Sequence, residues 1–370
     1  LKIALVSDWF VPRLGGIELQ MRDLAVTLAA RGHEVRVICG VPGEAEVGGI
    51  AVDRLGGPRL PGFGIAVTPG VFADLRRKIA AGGFDVVHVH CGNVAPIAHH
   101  AVQFCIRRRI PAVATFHSVL KYYDLPLMAL DRLHGYARSA VRFTAVSTVA
   151  AAALKPLVRD RAVAAIANGI DLAWWARPAG EVAAGSGGPV DFVSVTRLQK
   201  RKRARWLVRA FAAAVRDLPA EAARLTIVGD GDEMAAIRSI VARAGMDGRI
   251  VLAGREDRDA IRARLHRADA FVLASRLEAF GIAALEARAS GLPVITMAQS
   301  GARDFLHQGE DALLAADDAE LARHIRSLIV DRALRARLAA AARTPPAGVD
   351  WRDVAPLYEA EYAAAIAAVA

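Results

Sequence analysis

Short apolar runs alternate with stretches of helical period along this chain, and the alternation occurs twice. Residues 2–7 are compactly apolar. Residues 16–31 follow with Leu19, Leu24 and Leu28 on one helical face, Gly32 closes the stretch, and residues 34–39 are apolar again. Strand, helix and strand at this spacing make a βαβ unit, and such units build parallel sheets with helices on their faces. Apolar runs at 85–90, 112–116 and 143–146 continue the series, after a Gly- and Pro-rich segment at 41–70 with one short strand near 50–55. A second series has strands at 190–196, 224–229, 249–253, 270–274 and 293–297, with helices at 204–216, 232–244, 257–267, 282–290 and 319–330. Between the two series periodicity fails, and residues 178–189 carry four glycines between two prolines. The expected architecture is α/β, with two Rossmann-like doubly wound domains facing across a cleft. The first domain is expected at 1–172, a linker at 173–189 and the second domain at 190–345. Thr344-Pro345-Pro346 then breaks the chain, so residues 346–370 form a C-terminal helix that can cross back to the first domain.

The 370 residues carry a formal charge of +10, with far more Arg than Lys, and this calls for an anionic partner or surface. Nucleic acid, a phosphorylated small molecule and acidic lipid headgroups all qualify. The charge is spread along the chain, and only five Trp, five Tyr and twelve Phe accompany it, which argues against a stacking platform for single strands. No nucleic-acid partner is expected. Residues 71–81 set Phe72, Leu75 and Ile79 against Arg76, Arg77 and Lys78; such a helix can lie on an anionic membrane or be an ordinary surface helix. No apolar run is long enough to span a bilayer, and Cys39, Cys91 and Cys105 lack metal spacing. The expected location is cytoplasmic, including a peripheral position at the inner face of the membrane.

Chemistry-bearing residues gather at strand ends. After the run at 270–274 comes a loop with Glu278 and Gly281, then a short helix with Ile282, Leu285 and Ala289 in its apolar stripe and Glu286 on the flank. Gly281 lets backbone approach a ligand, and the first helical N–H groups suit phosphate. A capping acid plus a solvated helix acid is the plainer reading of Glu278 and Glu286. After the strand at 190–196, Arg197-Leu198-Gln199-Lys200-Arg201-Lys202-Arg203 places several cations where a pyrophosphate could be held. Gly229-Asp230-Gly231-Asp232 suits either a divalent metal or turn chemistry. In the first half, residues 8–16 lack Gly-x-Gly-x-x-Gly, which disfavours a nicotinamide or flavin, although Gly15-Gly16 could meet a phosphate or simply turn. His88 and His90 share one strand face, and His90 and His117 end consecutive strands at one rim, as site residues or as structural histidines. Asn168-Gly169 reads as a turn.

Taken in order, these residues resemble the retaining glycosyltransferases of family 4, enzymes with the two-domain GT-B fold. The resemblance covers nearly the whole chain. It is carried by Ser-x-x-Glu278-x-Phe280-Gly281 followed by Glu286-Ala and Gly-Leu-Pro-Val, by Arg197-Leu198 with Lys202, by Gly229-Asp230-Gly231, by Gly15-Gly16-Ile17-Glu18, by the strand ending at His117 and by Asn168-Gly169-Ile170-Asp171. It implies that Arg197 and Lys202 hold the donor diphosphate, Glu278 binds sugar hydroxyls and Glu286 the ribose. Phe280, Gly281 and Ile282 would meet the phosphates and sugar through backbone N–H groups. Gly16 would approach the diphosphate, His117 would lie near the reacting sugar, and Gly254 and Arg255 would border the nucleobase. Transfer would retain configuration and need no metal and no cofactor, only a nucleotide-sugar donor, a UDP sugar being expected. The acceptor would be a hydroxyl, on a lipid or a growing glycan. Residues 8–18 and 115–118 also resemble enzymes that add N-acetylglucosamine to phosphatidylinositol. Thr196 and Arg203 depart from glycines usual in the family, and Gly301-Ala302-Arg303-Asp304 departs from a Gly-Gly-x-x-Glu run. A non-hydrolysing nucleotide-sugar epimerase and a basic membrane- or nucleic-acid-binding protein on the same fold are the competing readings.

Overall fold

The computed structural model describes residues 1–13, 15–58, 67–120, 123–178 and 188–370. They form two compact units, Leu1–Ile170 with Gly348–Ala370, and Asp171–Ala347. In the first unit the elements are β1 (Lys2–Ser7), α1 (Gly16–Ala30), β2 (Glu34–Cys39), β3 (Glu46–Val47), β4 (Ile50–Arg54), α2 (Pro69–Ala81), β5 (Val86–Cys91), α3 (Pro96–Arg108), β6 (Ala112–Phe116), α4 (Asp124–His134), β7 (Arg142–Ala145), α5 (Thr148–Ala152), α6 (Lys155–Val158) and β8 (Ala164–Ala165). The second unit has α7 (Leu172–Trp175), β9 (Val190–Val195), α8 (Ala204–Ala214), β10 (Ala223–Val228), α9 (Met234–Arg243), β11 (Ile250–Gly254), α10 (Arg258–Arg267), β12 (Ala270–Leu273), α11 (Ile282–Ala289), β13 (Val294–Met297), β14 (Ala312–Ala315), α12 (Asp318–Val330) and α13 (Arg332–Ala342). The chain closes with α14 (Trp351–Ala367).

Both sheets are wound outward from an inner strand. The first has the order β3-β4-β2-β1-β5-β6-β7-β8, parallel except for the β3–β4 edge pair. The chain runs from β1 to β2 on one side and resumes at β5 on the other, so the order reverses between β1 and β5. The second sheet, β11-β10-β9-β12-β13-β14, is wholly parallel and reverses between β9 and β12. In open α/β sheets the loops at the carboxyl ends on either side of such a reversal diverge and leave a crevice for ligands.

Helix α14 belongs to the first unit because its apolar stripe is buried there. Val354, Tyr358, Tyr362 and Ala365 join Ile3, Leu5, Val86 and Val113 in one core. Each large side chain so buried contributes about 1.5–3 kcal/mol. Asp350 caps the helix by accepting from the Arg352 amide, and Ile170 and Trp351 are joined where the Trp351 N–H donates to the Ile170 carbonyl. A Cβ on Gly169 would lie 2.4 Å from the Trp351 indole, so this glycine provides room for the ring and has no positive φ. The turn expected at Asn168-Gly169 is therefore a packing contact.

The unit boundary falls at 170/171, ahead of the linker expected at 173–189. Residues 171–178 are not spacer. Asp171 caps α7, Trp175 is fully buried, and its carbonyl accepts from Ser290 Oγ at 3.1 Å and lies 2.9 Å from His266 Nε2. Composition changes at the tryptophan pair, but burial of Trp175 ties that pair to the second unit. Residues 179–187 of the expected linker lie outside the described residues. Helices α3, α4 and α13 and strand β14 add to the elements expected from periodicity.

Candidate active site

At the reversal of the second sheet, the loop after β9 and the loop after β12 are bonded together. Ser275, fully buried, donates its Oγ to the Lys202 carbonyl at 3.2 Å. Lys202 Nζ lies 2.7 Å from Glu278 Oε2, with both side chains largely withdrawn from solvent. Removing one member of so shielded a pair would leave the other charge uncompensated. Leu198, also fully buried, fastens the cation loop: its amide donates to the Asp230 carbonyl and its carbonyl accepts from the Glu233 amide, both at 2.9 Å. Arg197 beside it is half-buried.

The Gly229-Asp230-Gly231 turn is explained by this closeness. A Cβ at Gly229 would sit 1.9 Å from the Thr196 carbonyl oxygen, and one at Gly231 would sit 2.5 Å from that of Leu198. Both glycines also have positive φ, at 134° and 159°. Turn chemistry thus accounts for the motif. Among the described residues no group of three His, Cys, Asp or Glu is placed to hold a metal ion.

Arg203 occupies a left-handed conformation, φ 62°, immediately before α8, which is why glycine suits this position. Its side chain does not join the cations facing Glu278. It grips Asp318 with one guanidinium nitrogen, 2.5 and 2.7 Å from the two carboxylate oxygens, while Nε donates to the Ala274 carbonyl at 3.2 Å. The expectation that Arg203 adds a cation to the phosphate loop is therefore corrected. Its charge is committed to the first turn of α12.

Gly281 caps α11 in the left-handed region, φ 89°, where a Cβ would approach Ala302 Cβ at 3.3 Å. Phe280 is turned into the core against Phe305, ring centroids 5.0 Å apart, so at Phe280-Gly281-Ile282 the backbone is what remains for a ligand. The first N–H groups of a helix have no acceptor within it, and the dipole there favours an anion. Glu286 is buried in the second turn, and α11 is held rigidly by Arg288. The Arg288 guanidinium, almost completely buried, pairs with Asp311 at 3.0 Å and donates to the Ala342 carbonyl. Gly254, φ 74°, ends β11 and the exposed Arg255 follows it; the Gly254 carbonyl accepts from the Gly229 amide at 2.7 Å.

The first unit's reversal is built differently. Gly15 is the extended N-cap of α1 and Gly16 its first residue. Glu18 in the first turn is buried, with Arg13 at 3.1 Å, and Arg13 lies over the Trp9 ring. At the end of β1, Asp8 is buried and accepts from the Ile97 and Ala98 amides at 2.9 and 3.0 Å, at the start of α3. Burial raises its carboxyl to about 7 despite those two bonds. His90 and His117 are joined, Nδ1 to Nε2, at 2.9 Å. His88 behind them packs on His90 with ring centroids 4.1 Å apart and the rings tilted by 32°, and reaches Tyr362 Oη at 2.8 Å and Thr115 Oγ1 at 2.6 Å. Burial lowers His88 to about 3 and His117 to about 4, and His90 well below the usual range, so all three are neutral at pH 7. His88 is wholly buried and bonded at both nitrogens, as a structural histidine is, while His117 is half-buried at the rim.

Sequence reasoning brought His90 and His117 to one rim but not into a hydrogen bond, and it did not anticipate the bonding of Asp8 to α3, which joins residues brought together only by the sheet order. The basic helix at 71–81 also differs from a free amphipathic face. Val71, Leu75 and Ile79 are buried, Phe72 stacks on His100, Arg77 pairs with Asp74 and Lys78 pairs with Asp53. No helix among the described residues is long and apolar enough to cross a membrane.

Two family models match the chain, "Glycosyltransferase Family 4" over residues 14–174 and "Glycosyl transferases group 1" over 183–344. The D-inositol 3-phosphate glycosyltransferase of Salinispora arenicola is 30% identical, over 96% of this chain and 88% of its own. The phosphatidyl-myo-inositol mannosyltransferase of Mycolicibacterium smegmatis is 28% identical, over 96% of this chain and 91% of its own. Among solved structures, HepE of Anabaena in complex with UDP and glucose superposes with a TM-score of 0.79 at 19% identity, over 98% of this chain and 99% of that one. The chain therefore belongs to glycosyltransferase family 4 and is a glycosyltransferase with the GT-B fold.

Proposed function

We propose that this enzyme transfers a sugar from a UDP-sugar donor to a hydroxyl acceptor with retention of anomeric configuration. The observation that carries the reading is the Lys202–Glu278 pair at the sheet reversal, beside the glycine-capped start of α11. In this reading the diphosphate lies against the N–H groups of Gly281 and Ile282, with Arg197 and Lys202 supplying positive charge. Glu278 accepts from sugar hydroxyls and aligns Lys202, and Glu286 accepts from the ribose hydroxyls. Gly254 and Arg255 border the base. Gly15 and Gly16 bring backbone N–H groups to the diphosphate, and His117 meets the sugar and acceptor.

The bond from the anomeric carbon to the diphosphate oxygen breaks as the acceptor oxygen bonds the same face of that carbon. The acceptor proton passes to the departing phosphate. Positive charge fixed at the leaving oxygens lowers the barrier because that charge is worth most as the bond breaks. The residues themselves supply it, so the proposed reaction requires no metal and no cofactor besides the donor. A lipid-linked hydroxyl, such as an inositol lipid headgroup, or a growing glycan is the proposed acceptor class. The relatives' names and the net charge of +10 support it. Peripheral contact with anionic lipid at the inner membrane face belongs to the same proposal.

A panel of nucleotide sugars screened by thermal stabilisation tests the reading. The expected result is that a UDP sugar raises the midpoint most and that UDP is released only when an acceptor is added. Formation of an epimerised nucleotide sugar from donor alone would instead identify an epimerase.

A further inference from the structure

The contact between His90 and His117 joins two neutral rings, so one nitrogen must donate and the other accept. His90 decides which, because it is the enclosed partner. Only 2% of it is exposed, and its Nε2 is buried with no hydrogen-bond partner among the described residues. A proton on Nε2 would make a buried N–H with no acceptor, whereas a proton on Nδ1 leaves only a bare nitrogen there. Orphaned buried N–H groups are the rarer case in folded proteins.

The neighbours do not oppose this choice. His88, packed against His90, is bonded at both nitrogens to hydroxyls, those of Tyr362 and Thr115, and a hydroxyl gives or accepts a proton equally well. Thr115 passes the chain on to Thr144 Oγ1 at 2.6 Å. His117 is half-buried, so its remaining nitrogen is not enclosed as that of His90 is. Its backbone N–H is already spent on the Cys91 carbonyl at 2.9 Å.

We infer that His90 is a positioning residue: its Nδ1–H donates to His117 Nε2, which leaves the His117 proton on Nδ1. His117 then presents an N–H donor to substrate, and its basic nitrogen is occupied by His90. Which nitrogen is protonated follows from the bond the other makes. The catalytic consequence rests on the proposed role of His117 near sugar and acceptor. The tautomer itself does not.

The test is nitrogen NMR on the full-length protein with 15N-labelled histidine near pH 7.5, the His117 signals being assigned by their loss in His117→Gln. The expected spectrum gives His117 a pyrrole-type Nδ1 and a pyridine-type Nε2. In His90→Phe the bond donated to Nε2 is lost and the pyridine-type Nε2 signal moves downfield toward that of an unbonded nitrogen, and in His90→Gln, whose amide can still donate, the wild-type shift returns. A wild-type His117 protonated on Nε2, protonated on both nitrogens, or averaged between tautomers overturns the inference, and this readout needs no variant of His90. Under the proposed reaction His90→Phe also lowers kcat by about tenfold, the size of one hydrogen bond, with the donor KM nearly unchanged. A spectrum as expected with unaltered kcat would leave the tautomer standing and remove His117 from the chemistry.

Discussion

The two sheets reverse direction in the same way, but their carboxyl edges carry opposite electrostatics. In the second unit the edge joins a charged pair, Lys202 with Glu278, to a helix start and to a loop of further cations. In the first unit the edge carries three imidazoles held neutral by burial and the Asp8 carboxyl raised to about 7, with its one described ion pair, Arg13–Glu18, at the start of α1. A parallel sheet supplies the place for a ligand but not its character. The side chains delivered by individual loops decide that one edge carries the Lys202–Glu278 pair while the other carries neutral, hydrogen-bonded rings.

The comparison breaks first at Lys202. Lys202→Ala should lower kcat by about 10²–10³-fold, the loss typical of one preorganised charge or donor at a leaving group. Nucleotide affinity should change far less, and steady-state kinetics beside calorimetry separates the two. Equal losses in kcat and affinity would mean that the lysine binds the ground state.

A second test addresses the backbone beneath the cations. Gly229→Ala sets a Cβ 1.9 Å from the Thr196 carbonyl, and backbone cannot yield as a side-chain tip can. A stability loss of about 2–4 kcal/mol is expected from the clash and the positive φ together, read as a lowered urea midpoint with an unchanged slope.

The neutral edge predicts an acid sensitivity with a definite sign. His88 and His117 have folded-state values below that of a free imidazole, so their contribution to stability is complete above about 6.5. It is lost as pH falls through the folded values of about 3 and 4. Asp8, raised from 3.8 to about 7, acts oppositely: its contribution is present below 3.8 and is lost as pH rises through 7. The urea midpoint should therefore fall between pH 6.5 and 4, and His117→Gln should reduce that fall, because one group that resists protonation is gone. An undiminished fall in the variant would assign the acid loss elsewhere.

The smallest effect is expected at Arg203. Glycine there removes the left-handed strain but also the grip on Asp318 and Ala274, two terms of about 1 kcal/mol that oppose each other. Arg203→Gly should shift the stability by less than about 1 kcal/mol, whereas Asp318→Asn, which also weakens the Arg276 pair at 3.5 Å, should only destabilise.

Much of the fold was legible because a parallel strand buried on both faces shows as an unbroken apolar run, as at 2–7 and 270–274, whatever its partners are. Strand β14 and helix α3 were less visible: β14 spans only Ala312–Ala315, and α3 carries paired histidines and arginines along its length. Glu278, Lys202 and Gly281 stood out through local spacing. The partner of Arg203, 115 residues away in sequence, could not. The same holds for the burial of Arg288 against Asp311 and for the reason Gly169 is glycine. Each depends on a neighbour supplied only by tertiary packing, and for the same reason burial of Trp175 sets the division at 170/171 and not within the linker expected at 173–189.

The contrast between the two edges is tested most directly by calorimetric titration of UDP into the wild type, Glu286→Ala and His117→Ala. The account predicts binding weakened by about tenfold or more in the glutamate variant, the loss of hydrogen bonds to a charged acceptor, and affinity within about twofold of wild type in the histidine variant. Unchanged affinity in Glu286→Ala, or equal losses in both variants, would contradict it.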